Sequence, residues 1–262
     1  MKQKLFSVVI PTYNCGRKLA ATLESVLSQP RELYEIIVVD GGSGGETLSV
    51  IEEHSGDLRF VSEPDRGVYD ALNKGVGMSS GRHLIFLGAG DRLKEGVLER
   101  VAEILPGGQP SLAYGDAYLV RHGVRQGGTF GRKDFVGRNL CQQAIFYERT
   151  IFDLLGGFDL KYKVYADWAF NMKCFADPRV RKLYLGLHVA DFEGWGISDM
   201  EVDRAFQRDF PRLIRRHVGA GEYLRYRVYL ARVSFYVFRR KLAASAKAAA
   251  SLPASLLRRQ KP

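Results

Sequence analysis

Three short hydrophobic runs near the start of the chain constrain its fold more than any other feature. They span residues 6–10, 35–39 and 83–87, and stretches with helical spacing of apolar residues separate them. Such runs are typical of parallel strands that are buried on both faces. The strand–helix alternation therefore predicts an α/β fold with a mostly parallel central sheet. Asp40 follows the second run and Asp91 lies just beyond the third, where such sheets bind ligands.

The composition is that of an ordinary globular protein, with 46% hydrophobic and 26% charged residues. Cys15, Cys141 and Cys174 are odd in number and far apart, which argues against a disulfide framework and favours a reducing compartment. The first apolar run stops at Pro11 and lacks the features of a signal peptide, and no apolar stretch is long enough to span a bilayer. We therefore expect a cytoplasmic protein.

Charge is distributed unevenly along the chain, although the net charge is +10. Residues 204–262, the basic C-terminal extension, hold 15 Lys and Arg against 2 Asp and Glu, whereas residues 1–203 hold 24 against 27. This asymmetry predicts a nucleotide-binding domain over 1–203 and a helical, aromatic-rich extension over 204–262. A basic block of this kind indicates an anionic partner surface.

Six short motifs follow one another along the chain and span residues 8–14, 39–43, 63–75, 87–91, 156–159 and 165–168. In their content and order they resemble the inverting family 2 glycosyltransferases, whose Rossmann-like nucleotide-binding fold is called GT-A. Each motif alone is weak evidence for the family, but six motifs in the family's order over residues 6–200 argue against coincidence. The resemblance implies a hexosyltransferase-type enzyme that moves a sugar from a nucleotide-diphosphate donor, expected to be UDP-linked, to a hydroxyl of a glycan or lipid-linked acceptor. Its expected setting is polysaccharide or cell-envelope biosynthesis.

Asp91 is the candidate metal ligand. A divalent cation that bridges a carboxylate and the donor phosphates would stabilise the charge of the departing diphosphate, and Mn²⁺ or Mg²⁺ suits oxygen ligands. The family motif is usually Asp-x-Asp, but Ala89 replaces the first acid here. The resemblance therefore implies metal assistance through a single motif carboxylate.

Asp40 is the candidate reader of the nucleobase, because this position contacts the base, typically uracil, in the family it resembles. The alternative is an Asp that only forms the turn before Gly41 and Gly42. The neighbouring loop completes the predicted nucleotide-sugar pocket, which comprises Pro11, Thr12, Tyr13, Asn14, Asp40, Gly41, Arg66, Asp70 and Asp91. A solvated helix face is the ordinary explanation for the charges at 65–74, and for Lys74 it is the better one.

Asp167 is the candidate catalytic base. An inverting transfer needs one carboxylate to accept the proton of the acceptor hydroxyl, from a chain segment other than that of Asp91. The alternative is a structural role, in which Asp167 only caps the following helix. Four residues are assigned to the acceptor side: Gln142, Gln143, Trp168 and Trp195. For Gln142 and Gln143 the alternative is an amide at a strand edge. His188 and Trp195 could help to close the site, and for them ordinary packing is the alternative.

The basic C-terminal extension carries a second functional signal. Its apolar and aromatic residues fall near one helical face with arginines beside them; they are Tyr223, Tyr226, Tyr229, Leu230, Val233 and Val237. This pattern favours peripheral association with the cytoplasmic face of an anionic inner membrane. A helical lid packed on the domain and a homo-oligomer contact are alternatives. Nucleic acid is a poorer partner, since no recognition motif accompanies the charge.

Two other functions compete with the transferase. A sugar-phosphate nucleotidyltransferase would need a Gly-rich basic loop after the first strand, and residues 11–16 do not form one. A non-catalytic nucleotide-sugar-binding subunit would be compatible with the altered metal motif. A dehydrogenase is disfavoured, because no Gly-x-Gly-x-x-Gly follows the first strand.

Overall fold

The structure is a computed structural model that describes residues 3–105, 107, 109–193 and 202–233. Nine strands form one sheet in the order β3-β2-β1-β4-β8-β6-β9-β5, with β7 paired to β6. The strands are β1 Phe6–Thr12, β2 Tyr34–Asp40, β3 Leu58–Ser62, β4 His83–Phe86, β5 Arg92–Leu93, β6 Ser111–Leu119, β7 Val124–Gln126, β8 Ile145–Glu148 and β9 Arg181–Phe192. The helices are α1 Gly16–Leu27, α2 Glu46–Glu53, α3 Val68–Met78, α4 Val97–Ile104, α5 Thr150–Leu155, α6 Ala166–Ala176 and α7 Arg204–Leu213.

Alternating side chains of the first strands enter two separate cores, one on each face of the sheet. On β1, Val9 packs with α3, α5, α6 and α7, whereas Val8 and Ile10 pack with α1, α2 and α4. On β2, Ile37 and Val39 likewise face the first core. This period of two explains why the sequence runs are hydrophobic at every position: both faces of the sheet are covered.

Only the first half of the sheet is parallel throughout. β1 pairs in parallel with β2 and β4, and β2 with β3. In the second half only β6 and β9 are parallel, and the pairings β4–β8, β5–β9, β6–β7 and β6–β8 are antiparallel. The expected parallel pairing is therefore confirmed for the residues that carry the first motifs, whereas the second half of the sheet is mixed.

The described part of the basic C-terminal extension packs on the same core as the sheet. Phe206 and Phe210 of α7 are buried with Ile214 and Val218 of the π-helical segment Ile214–Val218, and they join the core that contains Val9. Residues 220–233 are helical, and Tyr226 contacts Phe210 edge-on at 5.6 Å between ring centroids. Residues 234–262, with Val237, lie outside the described residues. Within the described ranges, the helices all fall short of the length and apolar character needed to cross a bilayer.

Two glycines of α3 allow a direct test of this packing. A Cβ added at Gly75 would lie 2.3 Å from Val9 Cγ1, whereas one added at the exposed Gly77 would meet nothing within 4 Å. We expect Gly75→Ala to destabilise the protein by about 1–3 kcal/mol, because α3 must move away from β1. Gly77→Ala should instead stabilise it by about 0.5–1 kcal/mol, since alanine favours the helix. Urea unfolding of both variants checks this, and equal effects would contradict the close α3–β1 packing.

Candidate active site

One cavity of about 800 Å³ opens beyond the carboxyl ends of β1 and β4. Asp91, from the segment after β4, and Asp167, from the first turn of α6, both line it. The two carboxylates come from segments that are 76 positions apart in the chain. A ligand in this cavity can therefore meet one acid from each half of the molecule.

Asp91 lies at the buried side of the cavity and is 3% exposed. Its Oδ2 accepts a hydrogen bond from Gly88 N at 2.8 Å. Burial raises the pKa of this carboxyl to about 7, although the amide of Gln143 and the backbone of Gly88 act in the opposite direction. Among the described residues no Lys or Arg forms an ion pair with Asp91, so its negative charge has no direct positive partner there.

Glu193 is a second carboxylate beside Asp91, and sequence reasoning did not select it. It lines the cavity, it raises the pKa of Asp91 through its charge, and it forms an ion pair with Lys18 at 3.4 Å. Gly90, with a φ of 106°, lies close to this group: a Cβ there would be 3.0 Å from Glu193 Oε2. The described residues contain no group of three or more His, Cys, Asp or Glu that could hold a metal ion.

Asp167 is 9% exposed, and donors from two other segments hold its carboxylate. Its Oδ1 is 2.8 Å from the hydroxyl of Tyr69 on α3, and its Oδ2 accepts from Asn139 Nδ2 at 2.7 Å. Burial raises the pKa of Asp167 to about 6 despite these hydrogen bonds. Tyr165 occupies the N-cap position of α6, so the alternative that Asp167 caps the helix is wrong.

Asp40 does not line the cavity, and the structure places its side chain in the turn that follows β2. It is fully buried, and its two oxygens accept four hydrogen bonds, from Gly42 N, Ser43 N, Ser43 Oγ and Ser62 Oγ. This is the turn-forming role that the sequence left open. A contact between Asp40 and a nucleobase stays a prediction.

The end of β1 and the two residues after it contribute three of the four residues predicted at 11–14 to the cavity. Pro11, Thr12 and Tyr13 line it, and Tyr13 is 63% exposed. Asn14 is outside the lining; it adopts a φ of 49°, and its N–H donates to Ser43 Oγ. Gly41 is also outside the cavity lining, and a Cβ added to it would lie 2.9 Å from Asp65 Oδ2. Asp65, and not the predicted Gly41, therefore lines the cavity at this point.

The charged entry of α3 pairs mainly within itself. Arg66 donates to Asp70 at 2.9 Å, and Lys74 pairs with Glu63 at 2.7 Å. None of these four residues lines the cavity. The interpretation of Lys74 as part of a solvated face agrees with this placement, whereas roles for Arg66 and Asp70 in nucleotide binding stay predictions.

Three of the four predicted acceptor-side residues line the cavity, namely Gln142, Gln143 and Trp168. Trp168 donates from Nε1 to Phe135 O at 3.2 Å and packs on Phe206 of α7. Trp195 lies outside the described residues. His188 is on β9, outside the cavity lining, and is 2.7 Å from Asp191 Oδ1.

Several cavity residues escaped sequence reasoning because the fold alone brings them there. They are Lys18, Tyr69, Arg138, Asn139, Lys163 and Glu193. Tyr69 lies inside the motif at 63–75, so that motif could have pointed to it. Asn139 lies in a segment without a motif, and nothing in its neighbours singles it out.

Comparison with known proteins places the chain among sugar-transferring enzymes. The model described as Glycosyl transferase family 2 matches residues 7–159. A PGL/p-HBAD biosynthesis glycosyltransferase of Mycobacterium bovis is 40% identical over 223 residues, which cover 82% of this chain and 87% of the relative. The predicted resemblance is confirmed by these two matches.

Two solved structures share the fold. TarS 1–349 of Staphylococcus aureus in complex with UDP-GlcNAc has a TM-score of 0.64 and 20% identity; the match covers 80% of this chain and 64% of that one, which is less than two thirds. The mannosyltransferase PcManGT of Pyrobaculum calidifontis, in complex with GDP-Man and Mn²⁺, has a TM-score of 0.61, 19% identity, and coverage of 98% and 79%. Likeness at these identities shows the fold alone, and it confirms the expected fold class.

The burial of Asp167 predicts a pH-dependent effect on stability. Because the pKa of its carboxyl is raised on folding, its contribution is full below the ordinary value of 3.8 and is lost as the pH rises through about 6. We expect Asp167→Asn, which carries no charge, to gain about 2 kcal/mol relative to wild type between pH 4 and pH 7. Urea unfolding across this range measures the difference.

Asp177, at the other end of α6, is the matched control. Its pairing with Arg179 lowers the pKa of the Asp177 carboxyl to about 2, so its contribution is instead lost as the pH falls. Asp177→Asn should therefore show the opposite trend. Parallel pH profiles for the two variants would contradict the buried charge at Asp167.

Proposed function

Because this chain belongs to glycosyl transferase family 2, we propose that it transfers a hexose, with inversion, from a UDP-linked donor to a hydroxyl of a glycan or lipid-linked acceptor. The observation that carries this proposal is the placement of Asp91 and Asp167 in one cavity, from opposite halves of the chain. The chemistry needs two acids in such an arrangement, one near the departing diphosphate and one near the incoming hydroxyl.

Asp167 is the proposed base. Its carboxylate would accept the proton of the acceptor hydroxyl while the hydroxyl oxygen bonds to the anomeric carbon. The bond from that carbon to the diphosphate oxygen would break on the opposite face, and the diphosphate would leave with the bonding electrons. A pKa of about 6 suits this task, because the group is mostly ionised at neutral pH yet remains basic enough to take a proton.

A divalent cation would be held at the end of the cavity that contains Asp91. Asp91 and Glu193 would supply hard oxygen ligands there, and among the described residues no Lys or Arg forms an ion pair with the buried carboxylate of Asp91. When bound, Mn²⁺ or Mg²⁺ would offset the charge of the departing diphosphate. Lys18, which pairs with Glu193, is a second positive charge at this end of the cavity.

The comparisons support the donor class and the setting. TarS was solved with UDP-GlcNAc, which favours a UDP-linked donor, while the GDP-Man of PcManGT makes a GDP-linked donor the first alternative to test. The name of the M. bovis relative supports a role in the biosynthesis of cell-envelope glycans. Family membership also favours transfer over the nucleotidyltransferase alternative.

The direct test replaces the base and keeps its shape. We expect Asp167→Asn to lower transfer by at least about 100-fold, because general-base catalysis contributes at least that factor. Binding of the donor should persist, since Asp91 and Glu193 are unchanged. Thermal shift with UDP-, GDP- and dTDP-sugars, with and without Mn²⁺, measures binding, because a ligand of the folded state raises its melting temperature.

Asp177→Asn, in the same helix, should keep wild-type turnover and donor binding. Wild-type turnover in Asp167→Asn would remove this residue from the role of base. A protein that no sugar nucleotide stabilises would argue against the function as a whole.

The exposed face of helix 220–233 supports the proposal of membrane association. Tyr223 and Tyr226 pack against the core, but Leu224, Val228 and Tyr229 are exposed beside the arginines of this helix. Exposed apolar side chains with flanking guanidinium groups suit the interface of an anionic membrane. Such contact would bring the cavity near a lipid-linked acceptor.

Vesicle binding tests this surface. We expect the double variant Arg225→Gln, Arg232→Gln to bind phosphatidylglycerol vesicles about 30-fold more weakly, since each basic residue contributes about 1 kcal/mol. Arg17→Gln with Arg59→Gln removes the same charge from exposed positions of α1 and β3 and should have little effect. Sedimentation with vesicles measures both, and equal losses would contradict a specific role for the helix.

A further inference from the structure

A string of polar side chains runs from the buried core to Asp167. Tyr147, on β8, donates from its hydroxyl to Asn171 Oδ1 at 2.8 Å. Asn171, on α6, donates from Nδ2 to Asn139 Oδ1 at 3.2 Å, and Asn139 donates from Nδ2 to Asp167 Oδ2 at 2.7 Å. Strand β8, helix α6 and the segment before β8 are thus joined in one line of hydrogen bonds.

The carboxylate fixes the direction of every bond in this string. An ionised Asp167 can only accept, so Asn139 must turn its NH₂ group towards it. Asn139 then presents its oxygen to Asn171, which must supply its own NH₂ group and turn its oxygen to Tyr147. The hydroxyl of Tyr147 completes the line as a donor. Each member therefore locks the amide orientation of the next.

The inner half of the string is buried where polar groups are costly. Tyr147 and Asn171 are both 0% exposed, and neither lines the cavity. Phe86, Phe152 and Phe170 surround the ring of Tyr147 at 5.7–5.9 Å between centroids. Polar side chains in such a core are tolerated only when they are hydrogen-bonded. Here Tyr147 and Asn171 are linked by hydrogen bonds, through Asn139, to the carboxylate of Asp167.

Tyr69 holds the other oxygen of Asp167 from the opposite side. Its hydroxyl is 2.8 Å from Asp167 Oδ1 and 2.7 Å from Val164 O, and it has one proton for the two acceptors. With Asp167 ionised, that proton serves the carboxylate. After Asp167 has taken a proton, its acid O–H can donate to the Tyr69 oxygen while Tyr69 donates to Val164 O. The carboxyl is thus held in both protonation states.

We propose that Tyr147, Asn171 and Asn139 form a positioning string that orients the Asp167 carboxylate towards the acceptor and favours its ionised form. The proposal rests on the proposed role of Asp167 as the base. Tyr147 and Asn171 act only through Asn139, so they are positioning residues and touch no substrate. Their removal should lower kcat and leave the KM for the donor unchanged.

Few other groups near Asp167 change charge between pH 5 and pH 8. Tyr69 from α3 and Tyr147 from β8 have a pKa raised well above the usual value by burial, and burial raises the pKa of Cys141 to about 12. Arg138 and Lys163 also line the cavity, and both donate to backbone oxygens. Asp91 titrates in the same range and lines the same cavity, so a rate profile alone would not separate the two acids.

The test therefore measures the titration of the Asp167 carboxyl directly. Protein labelled with ¹³C at aspartate carboxyls is titrated by NMR, and the Asp167 signal is identified as the one missing from Asp167→Asn. We expect Tyr147→Phe to raise the pKa of Asp167 by about half a unit to one unit, because the ionised form loses a supporting donor. At pH 5 this lowers the ionised fraction, and hence kcat, by about 3- to 10-fold.

Tyr114→Phe is the matched control. Tyr114 is a buried tyrosine of β6, and its hydroxyl bonds only with the backbone of Phe130, at 2.9 and 3.3 Å, among the described residues. Tyr114→Phe should lower the free energy of unfolding by an amount similar to Tyr147→Phe without changing the pKa of Asp167. If Tyr147→Phe does not fold, Asn139→Ala, which lies at the cavity wall, gives the same readout with a larger expected shift because it removes the direct donor.

An unchanged Asp167 titration in Tyr147→Phe and in Asn139→Ala would overturn the positioning string, as would equal shifts in Tyr114→Phe. These results do not depend on turnover. If Asp167→Asn remained active while Tyr147→Phe shifted the titration, the proposed base would fail and the string would stand.

Discussion

The burial of the Asp167 charge is the constraint on which the rest of the site depends. Burial works against the ionised form of a carboxylate that is 9% exposed, and hydrogen bonds from Tyr69, the Trp168 backbone and Asn139 offset that cost. The two side-chain donors come from α3 and from the segment before β8, while Asp167 itself lies on α6. The hydrogen bonds therefore require both halves of the sheet to be in place before the environment of Asp167 is formed.

The helices after residue 203 pack against the start of α6, close to Asp167. Asp203 caps α7 by accepting from Phe206 N, and its other oxygen accepts from Val164 N and Tyr165 N, directly before α6. Phe206 then packs on Tyr165 and Trp168, which line the cavity. The start of the basic C-terminal extension thus contributes to the shape of the cavity as well as to a charged surface.

The sequence was most informative where local pattern and fold agree. The runs at 6–10, 35–39 and 83–87 became β1, β2 and β4, and the helix expected at Asp167 is α6. The sequence was less informative where strand pairing decides the structure. Strand β6, for example, pairs with the long β9 in an irregular register. Asp40 shows the same limit, since its four donors are assembled by the turn and by Ser62 of β3.

The sequence by itself determined the α/β class and the family, and it singled out the two acids proposed for the chemistry, because strand ends and short motifs are local features. The tertiary structure alone decided which polar groups surround those acids. Glu193 beside Asp91, and Tyr69 and Asn139 on Asp167, come from segments distant in the chain. Their meeting depends on strand order and on antiparallel pairing in the second half of the sheet, and no local spacing encodes that.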